Sequence, residues 1–314
     1  MLDLRPEFIG RDFICMHDYT TDELKYMLDV GLKLKAMQKA GQAHPILQGK
    51  SMAMIFQKSS TRTRVSFEVG MFQLGGHALF LSPRDIQMGR GETIRDTALT
   101  LSGYVDGIMI RTFDHDEVLE LAEYAAVPVI NALTDLLHPC QVMADLMTAI
   151  EYKGELAGRK LAFIGDGNNM AHSLMIGGAK LGMQVAIACP DAYQPDPEVV
   201  KLAKADAEAN GGAIEIVNEP LAAARDADIV YTDVWASMGM EEEAEAREIA
   251  FAGYQVNSTL MKAARPDAIV MHCLPAKLDK EITAEVLYGP QSVVFPEAEN
   301  RLHAQKAIMA LIMR

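Results

Sequence analysis

Short apolar runs rich in valine and isoleucine alternate along the chain with longer stretches whose apolar residues recur at helical spacing. That alternation predicts stacked βα units around parallel sheets. In the first half the strand candidates are residues 52–56, 78–81, 108–111 and 128–131, with helices between them. Residues 21–37 read as an amphipathic helix ahead of the first strand. Leu24, Met27, Leu28, Leu32 and Leu34 are its apolar positions, and Thr21 is its expected N-cap. Val65, Val69 and Phe72 form an expected apolar stripe on the helix after the first strand, and residues 93–102 and 116–124 read as two more helices. His138-Pro139 opens a long helix with Val142, Leu146 and Ala149 on one face. Proline suits the first helical position, because the N–H it lacks would have had no partner there.

Residues 153–158 read as a hinge, and the same logic then repeats. Strands are expected at 161–164, 185–188, 214–217, 229–232 and 269–272, with a short late strand at 292–295 and a terminal helix from about residue 300. The expected fold class is α/β: two domains, each a parallel β-sheet flanked by helices, with the active site in the cleft between them. The boundaries expected are 1–150, with a C-terminal helix 298–314 packing back on it, and 151–297.

Composition supports two cores, since 314 residues are half apolar. A formal net charge of −14 argues against wholesale binding to nucleic acid or to an anionic membrane. The first ten residues lack an apolar leader core and carry acids, and no run of about 18 apolar residues occurs. Cys15, Cys140, Cys189 and Cys273 are scattered without CxxC spacing, so neither a disulfide framework nor a structural zinc site is expected, and a reducing cytoplasm fits.

On this acidic background the donors are local. Ligands of open α/β sheets bind beyond the carboxyl ends of the strands. After the first strand comes Ser59-Ser60-Thr61-Arg62-Thr63-Arg64; after the second comes Ser82 to Gln87; Arg111 ends the third; Asn131 and then His138-Pro139-Cys140-Gln141 follow the fourth. Ser60 to Thr63 would lie at a helix N-terminus, where N–H groups have no intrahelical partner. The dipole contributes only about 0.3–1 kcal/mol, against about 1.5–3 for a hydrogen bond to a charged group, so Arg62 and Arg111 would do most to hold a phosphate dianion. A lone Ser-Thr-Arg would read as a cap beside solvated arginines; four consecutive strand ends with donors favour an anion site. His138 and Gln141, three apart, share a helix face and together suit polarising a carbonyl.

In the second half Gly165-Asp166-Gly167-Asn168-Asn169 starts like a dinucleotide fingerprint but lacks a third glycine at the right spacing, while Asp191 after the next strand keeps a nucleotide reading open. Asp233 and Cys273 follow two other strands, so an acid, a thiol and an amide face that sheet's crevice and suit an amine-bearing ligand, with Asp233 pairing the ammonium and Asn169 reaching a carboxylate. His272 and Cys273 are adjacent on a strand and would point to opposite faces, which argues against a shared metal. No general base falls to Cys273 by spacing, so ligand contact is favoured over nucleophilic attack. Glu241 to Arg247 reads as a solvated helix face.

Phe56 to Arg64, Arg111, His138-Pro-Cys-Gln141, Asp233-Val-Trp-Ala-Ser-Met-Gly239, Phe251 to Asn257, His272-Cys-Leu-Pro-Ala276 and Glu299-Asn-Arg-Leu-His-Ala-Gln305 together resemble the ornithine carbamoyltransferases, in order and over essentially the whole chain. The resemblance implies transfer of a carbamoyl group from carbamoyl phosphate to the side-chain amine of L-ornithine, giving L-citrulline and phosphate. It implies that Ser60, Thr61, Arg62, Thr63, Gln87, Arg111, His138, Gln141 and Arg301 bind carbamoyl phosphate, Gln87 being lent by a neighbouring subunit. Asn169, Asp233, Ser237 and Met238 would bind ornithine, and Cys273 and Leu274 would lie between the substrates. Arg62, Thr63 and His138 would stabilise the oxyanion; Asp233 and Cys273 would position the amine. A homotrimer without metal or organic cofactor is implied. Gln57 stands where relatives often carry an acid, and Lys277-Leu278-Asp279-Lys280 replaces a flank that often reads His and then Arg-Gly. The alternatives are a carbamoyltransferase for putrescine, acetylornithine or aspartate, a nucleotide-dependent oxidoreductase, and a non-catalytic phospholigand-binding protein.

Overall fold

The structure, a computed structural model, describes residue 2 and residues 4–88, 90–236 and 241–314. The chain divides into two compact units, Met1–Met147 with Glu299–Arg314, and Thr148–Ala298. In chain order the elements are α1 (Thr21–Lys39), β1 (Ser51–Phe56), α2 (Thr61–Gln73), β2 (His77–Leu81), α3 (Ile94–Ser102), β3 (Gly107–Arg111), α4 (His115–Tyr124), β4 (Val129–Leu133) and α5 (Pro139–Lys153). Then come β5 (Lys160–Ile164), α6 (Asn169–Lys180), β6 (Gln184–Ala188), α7 (Pro197–Asn210), β7 (Ala213–Val217), α8 (Pro220–Ala224), β8 (Ile229–Thr232), α9 (Ala244–Ala250), α10 (Ser258–Met261), β9 (Ile269–His272), α11 (Ala284–Leu287) and α12 (Val294–Ile312).

In the first unit the parallel sheet runs β2-β1-β3-β4. Its strands read as apolar runs because helices cover the sheet: Met52, Ala53, Met54, Ile55, Ile108, Met109 and Ile110 are all buried. The helix α1 is set by a capping box: Thr20 accepts from the Glu23 N–H, and Glu23 accepts in turn from the Thr20 N–H. The expected cap, Thr21, is instead the first helical residue, because only Thr20 has an acid three positions on.

The helix α2 turns a different face inward from the one its aliphatic residues suggest. Thr63, Ser66, Phe67, Gly70 and Met71 are buried, whereas Val65 and Phe72 are exposed, so the expected stripe lies on the wrong side. The reason is close helix packing. A Cβ on Gly70 would stand 2.9 Å from Met309 Cε on α12, so a small residue is required there. The helix α12 is buried along its last turns, with Ala304, Ala307, Met309 and Ala310 all inside.

The second unit carries the parallel sheet β7-β6-β5-β8-β9. Its core joins Ala162, Ile164, Ala186, Val230 and Val270 to a cluster of Trp235, Phe251 and Tyr254. The expected late strand at 292–295 is only an isolated bridge from Ser292 to Val270; α12 starts at Val294, before the expected 300. Two β-branched valines suggested a strand, but Pro296 falls in the first turn, where helices accept proline. No helix among the described residues is long and apolar enough to cross a membrane.

Candidate active site

In the first sheet the strand order reverses between β1 and β3, the switch point at which ligands of such sheets bind. The chain leaving β1 crosses to β3 there: Gln57 N–H donates to the Arg111 carbonyl (2.9 Å), and Arg111 Nε donates to the Lys58 carbonyl (3.2 Å). Lys58 is buried and pairs with Asp135 at 3.1 Å. Ser60 caps α2 by accepting from the Thr63 N–H, and Ser60 and Thr63 share a hydroxyl hydrogen bond of 3.1 Å.

Three candidate residues meet at Arg301, itself one of them. Its Nη1 donates to Gln141 Oε1 (2.7 Å) and its Nη2 to Thr63 Oγ1 (3.1 Å). The Gln141 amide is fixed at its other end too, because its Nε2 donates to Asp145 (2.8 Å). Arg301 is only 2% exposed, so its guanidinium aligns Thr63 and Gln141 from within the fold.

His138, one residue before α5, is buried, and its imidazole is held well below its ordinary pKa, first by burial and then by Arg301, Arg111, Arg62 and Lys58. A neutral ring amid four cations marks a field built for an anion. His303 on α12 is lowered to about 3, also chiefly by burial. Below pH 6.5 the unfolded chain protonates His303 while the folded chain does not, so the stability this group contributes is full above 6.5 and falls as pH drops toward about 3; the lowered His138 acts in the same direction. His303 steepens the decline by about 1.4 kcal/mol per pH unit within that window. Urea unfolding at pH 7, 6 and 5 is expected to show this loss, and H303N to reduce its slope.

In the second sheet the order reverses between β5 and β8. The turn after β5 and the end of β8 are joined there, with Asn168 Nδ2 donating to Asp233 Oδ2 (3.3 Å). Asn168 also caps α6 through Oδ1, and Asn169 is the first residue of that helix. Cys273 Sγ–H donates to Asp233 Oδ1 (3.1 Å), so the carboxylate and the thiol meet; the amide that contacts Asp233 belongs to Asn168, whereas the sequence pointed to Asn169.

The strand β9 ends at His272, and Leu274 turns left-handed with φ +57°. The donor atoms of Asp233, His272 and Cys273 therefore come within 4.8 Å of one another, and strand alternation does not keep His272 and Cys273 apart. What commits His272 is hydrogen bonding. Its Nδ1 accepts from the Leu274 N–H (2.8 Å), and its Nε2 meets Glu281 Oε1 (3.0 Å). The glycine turn after β5 is covered by its own unit: a Cβ on Gly167 would stand 2.3 Å from the Pro195 nitrogen, and Gly167 N–H donates to the Tyr193 carbonyl. Asp191 is exposed. A dinucleotide has no close approach to that backbone, which removes the oxidoreductase reading.

Ser237 and Met238 lie outside the described residues. Gln87 is exposed on the loop after β2. Thr61 is the exposed first residue of α2, and Arg62, half-buried, follows it. The reading of Arg247 as part of a solvated face is corrected. It is buried, pairs with Asp166 at 2.6 Å and donates to the Trp235 carbonyl (2.8 Å), so it ties the glycine turn to the loop after β8. A lone arginine in a glutamate-rich run gives no sequence signal of burial. Lys58, Asp145 and Asn168 also escape the sequence reading; of these only Asn168 has a signal, its place before an apolar helical run.

Donor-rich ends of one parallel sheet and an acid–thiol pair on another define a two-unit α/β enzyme that binds an anion and an amine. Residues 11–151 match the model of the aspartate/ornithine carbamoyltransferase carbamoyl-P binding domain, and residues 157–312 that of the Asp/Orn binding domain. The chain is 61% identical over 304 residues to the ornithine carbamoyltransferase of Symbiobacterium thermophilum, covering 97% of this chain and 98% of that one. It is 55% identical to the anabolic ornithine carbamoyltransferase of Pyrococcus furiosus over 97% of this chain and 96% of that one. The solved structure of the Pyrococcus furiosus enzyme superposes with a TM-score of 0.95 at 55% identity, covering 98% of each chain. The chain belongs to the aspartate/ornithine carbamoyltransferase family.

Proposed function

We propose that the protein transfers the carbamoyl group of carbamoyl phosphate to the side-chain amine of L-ornithine, in the biosynthetic direction, with the cytoplasm as its place of work. The observation that carries this reading is the gathering of Arg62, Arg111, Arg301 and Lys58 around the buried His138, beyond the strand ends of the first sheet. Residues 1–150 with 298–314 take the donor, and 151–297 take ornithine. The relatives named ornithine carbamoyltransferase support the acceptor, and the anabolic relative supports the direction.

The unprotonated ornithine amine attacks the carbonyl carbon, giving a tetrahedral oxyanion that Arg62, Thr63 and His138 stabilise. The C–O bond to phosphate then breaks, phosphate leaves with that electron pair, and the amine nitrogen gives up a proton to solvent. Ser60, Thr61, Arg111 and Gln141 hold the donor, with Gln87 reaching it from a neighbouring copy in a homotrimer. Asp233, Asn169, Ser237 and Met238 orient ornithine, and Cys273 and Leu274 lie by the reacting groups. No step calls on a metal or an organic cofactor. The test is product formation with carbamoyl phosphate and ornithine, putrescine, acetylornithine or aspartate in turn. Ornithine is expected to give the fastest turnover, rising with pH as free amine accumulates; a faster rate with another amine overturns the acceptor.

A further inference from the structure

We propose that Glu281 and His272 form a positioning pair that straps the Cys273–Leu274 turn into register with Asp233; this rests on the proposed roles of Cys273 and Leu274. Both side chains are fully buried. Because His272 Nδ1 accepts the Leu274 N–H, the ring proton sits on Nε2 and is donated to Glu281 Oε1. The same carboxylate oxygen accepts the Lys277 N–H (2.6 Å). One oxygen thus closes both ends of the segment that carries the left-handed Leu274. Glu281 is itself anchored, since its carbonyl accepts the Val256 N–H (2.8 Å) and Asp279 N–H donates to the Ile282 carbonyl (2.9 Å). Glu297 fixes the other side of the turn by accepting the His272 N–H (2.9 Å).

The strap acts through groups it does not share with substrate. Residues that hold a reacting turn are worth turnover, because a displacement of about 1 Å can lower rate about 100-fold. It also couples the 277–280 flank to the site, through the Lys277 N–H.

The test compares the parent with E281A, E281Q and H272N. Glutamine at 281 keeps an oxygen for both N–H donors; alanine keeps none. The shorter amide introduced by H272N would place its Oδ1 near the Leu274 N–H while releasing Glu281. Three quantities are read: steady-state citrulline formation, the alkylation rate of Cys273 by iodoacetamide from peptide mass spectrometry, and inorganic phosphate affinity by calorimetry. E281A is expected to lower kcat about 10- to 100-fold and raise ornithine KM, with Cys273 alkylation altered and phosphate affinity unchanged. E281Q is expected to restore all three, and H272N to alter alkylation. Parent-like kinetics and alkylation in E281A overturn the proposal, as does E281Q behaving like E281A. If E281A does not fold, a parent-like H272N overturns it instead. ¹⁵N spectra of the parent must show Nε2 protonated and Nδ1 bare; the reverse overturns it. A parent that makes no citrulline sinks the functional reading alone, because the alkylation series and the spectra still decide the strap.

Discussion

Arg62→Ala is expected to lower citrulline turnover by about 100- to 1,000-fold, the range for losing one donor to a developing oxyanion, about 2.7–4 kcal/mol. The loss is expected to be catalytic. Arg62 is only half-buried, and its backbone carbonyl accepts from Ser66 Oγ at 2.6 Å whatever the side chain. Arg62→Lys is expected to recover only part of the rate, since an ammonium lacks the planar fork that spans two oxygens. Stopped-flow or coupled phosphate-release assays check both variants, alongside thermal unfolding. Near-parent turnover in Arg62→Ala would mean that the anion is held elsewhere.

Asp233→Asn is expected to reduce kcat/KM for ornithine by about 30-fold or more, the consequence of removing one member of a buried charge pair worth about 2–5 kcal/mol. The carboxylate serves three donors: Val234 N–H (2.8 Å) and Cys273 Sγ–H (3.1 Å) on Oδ1, and Asn168 Nδ2 (3.3 Å) on Oδ2. An amide loses the negative charge and one acceptor edge, so it cannot serve both these donors and an incoming ammonium. Carbamoyl phosphate affinity, which rests on the other unit, is expected to stay unchanged. Substrate titrations separate the two effects. Equal losses on both substrates would remove the division of labour between the units.

The central strands were legible in the sequence because a sheet covered on both faces needs unbroken apolar runs; the edge strands β2 and β7 are partly exposed, and the run at 292–295 proved to open a helix. The identity of the polar side chains at the strand ends was legible for the same reason. What was hidden depends on tertiary packing. The inward face of α2 includes Thr63, Ser66 and Gly70, with Gly70 set by size against α12, and hydropathy does not register size. Arg247 looked solvated because its partner, Asp166, is 81 positions away. The convergence of His272 with Cys273 depends on the left-handed Leu274, a conformation that no residue type in that stretch announces. The support of Gln141 by Arg301 spans 160 positions and was equally out of reach of local pattern.

The hold of the 277–280 flank on the strap is a main-chain amide, the Lys277 N–H on Glu281. Every amino acid but proline presents that same group, and residues 277–280 are all exposed to water. Position 277 is therefore free to drift in charge and bulk over evolutionary time, with proline the single letter that selection must refuse there, whereas Asp279, left-handed at φ +63°, is held by its backbone.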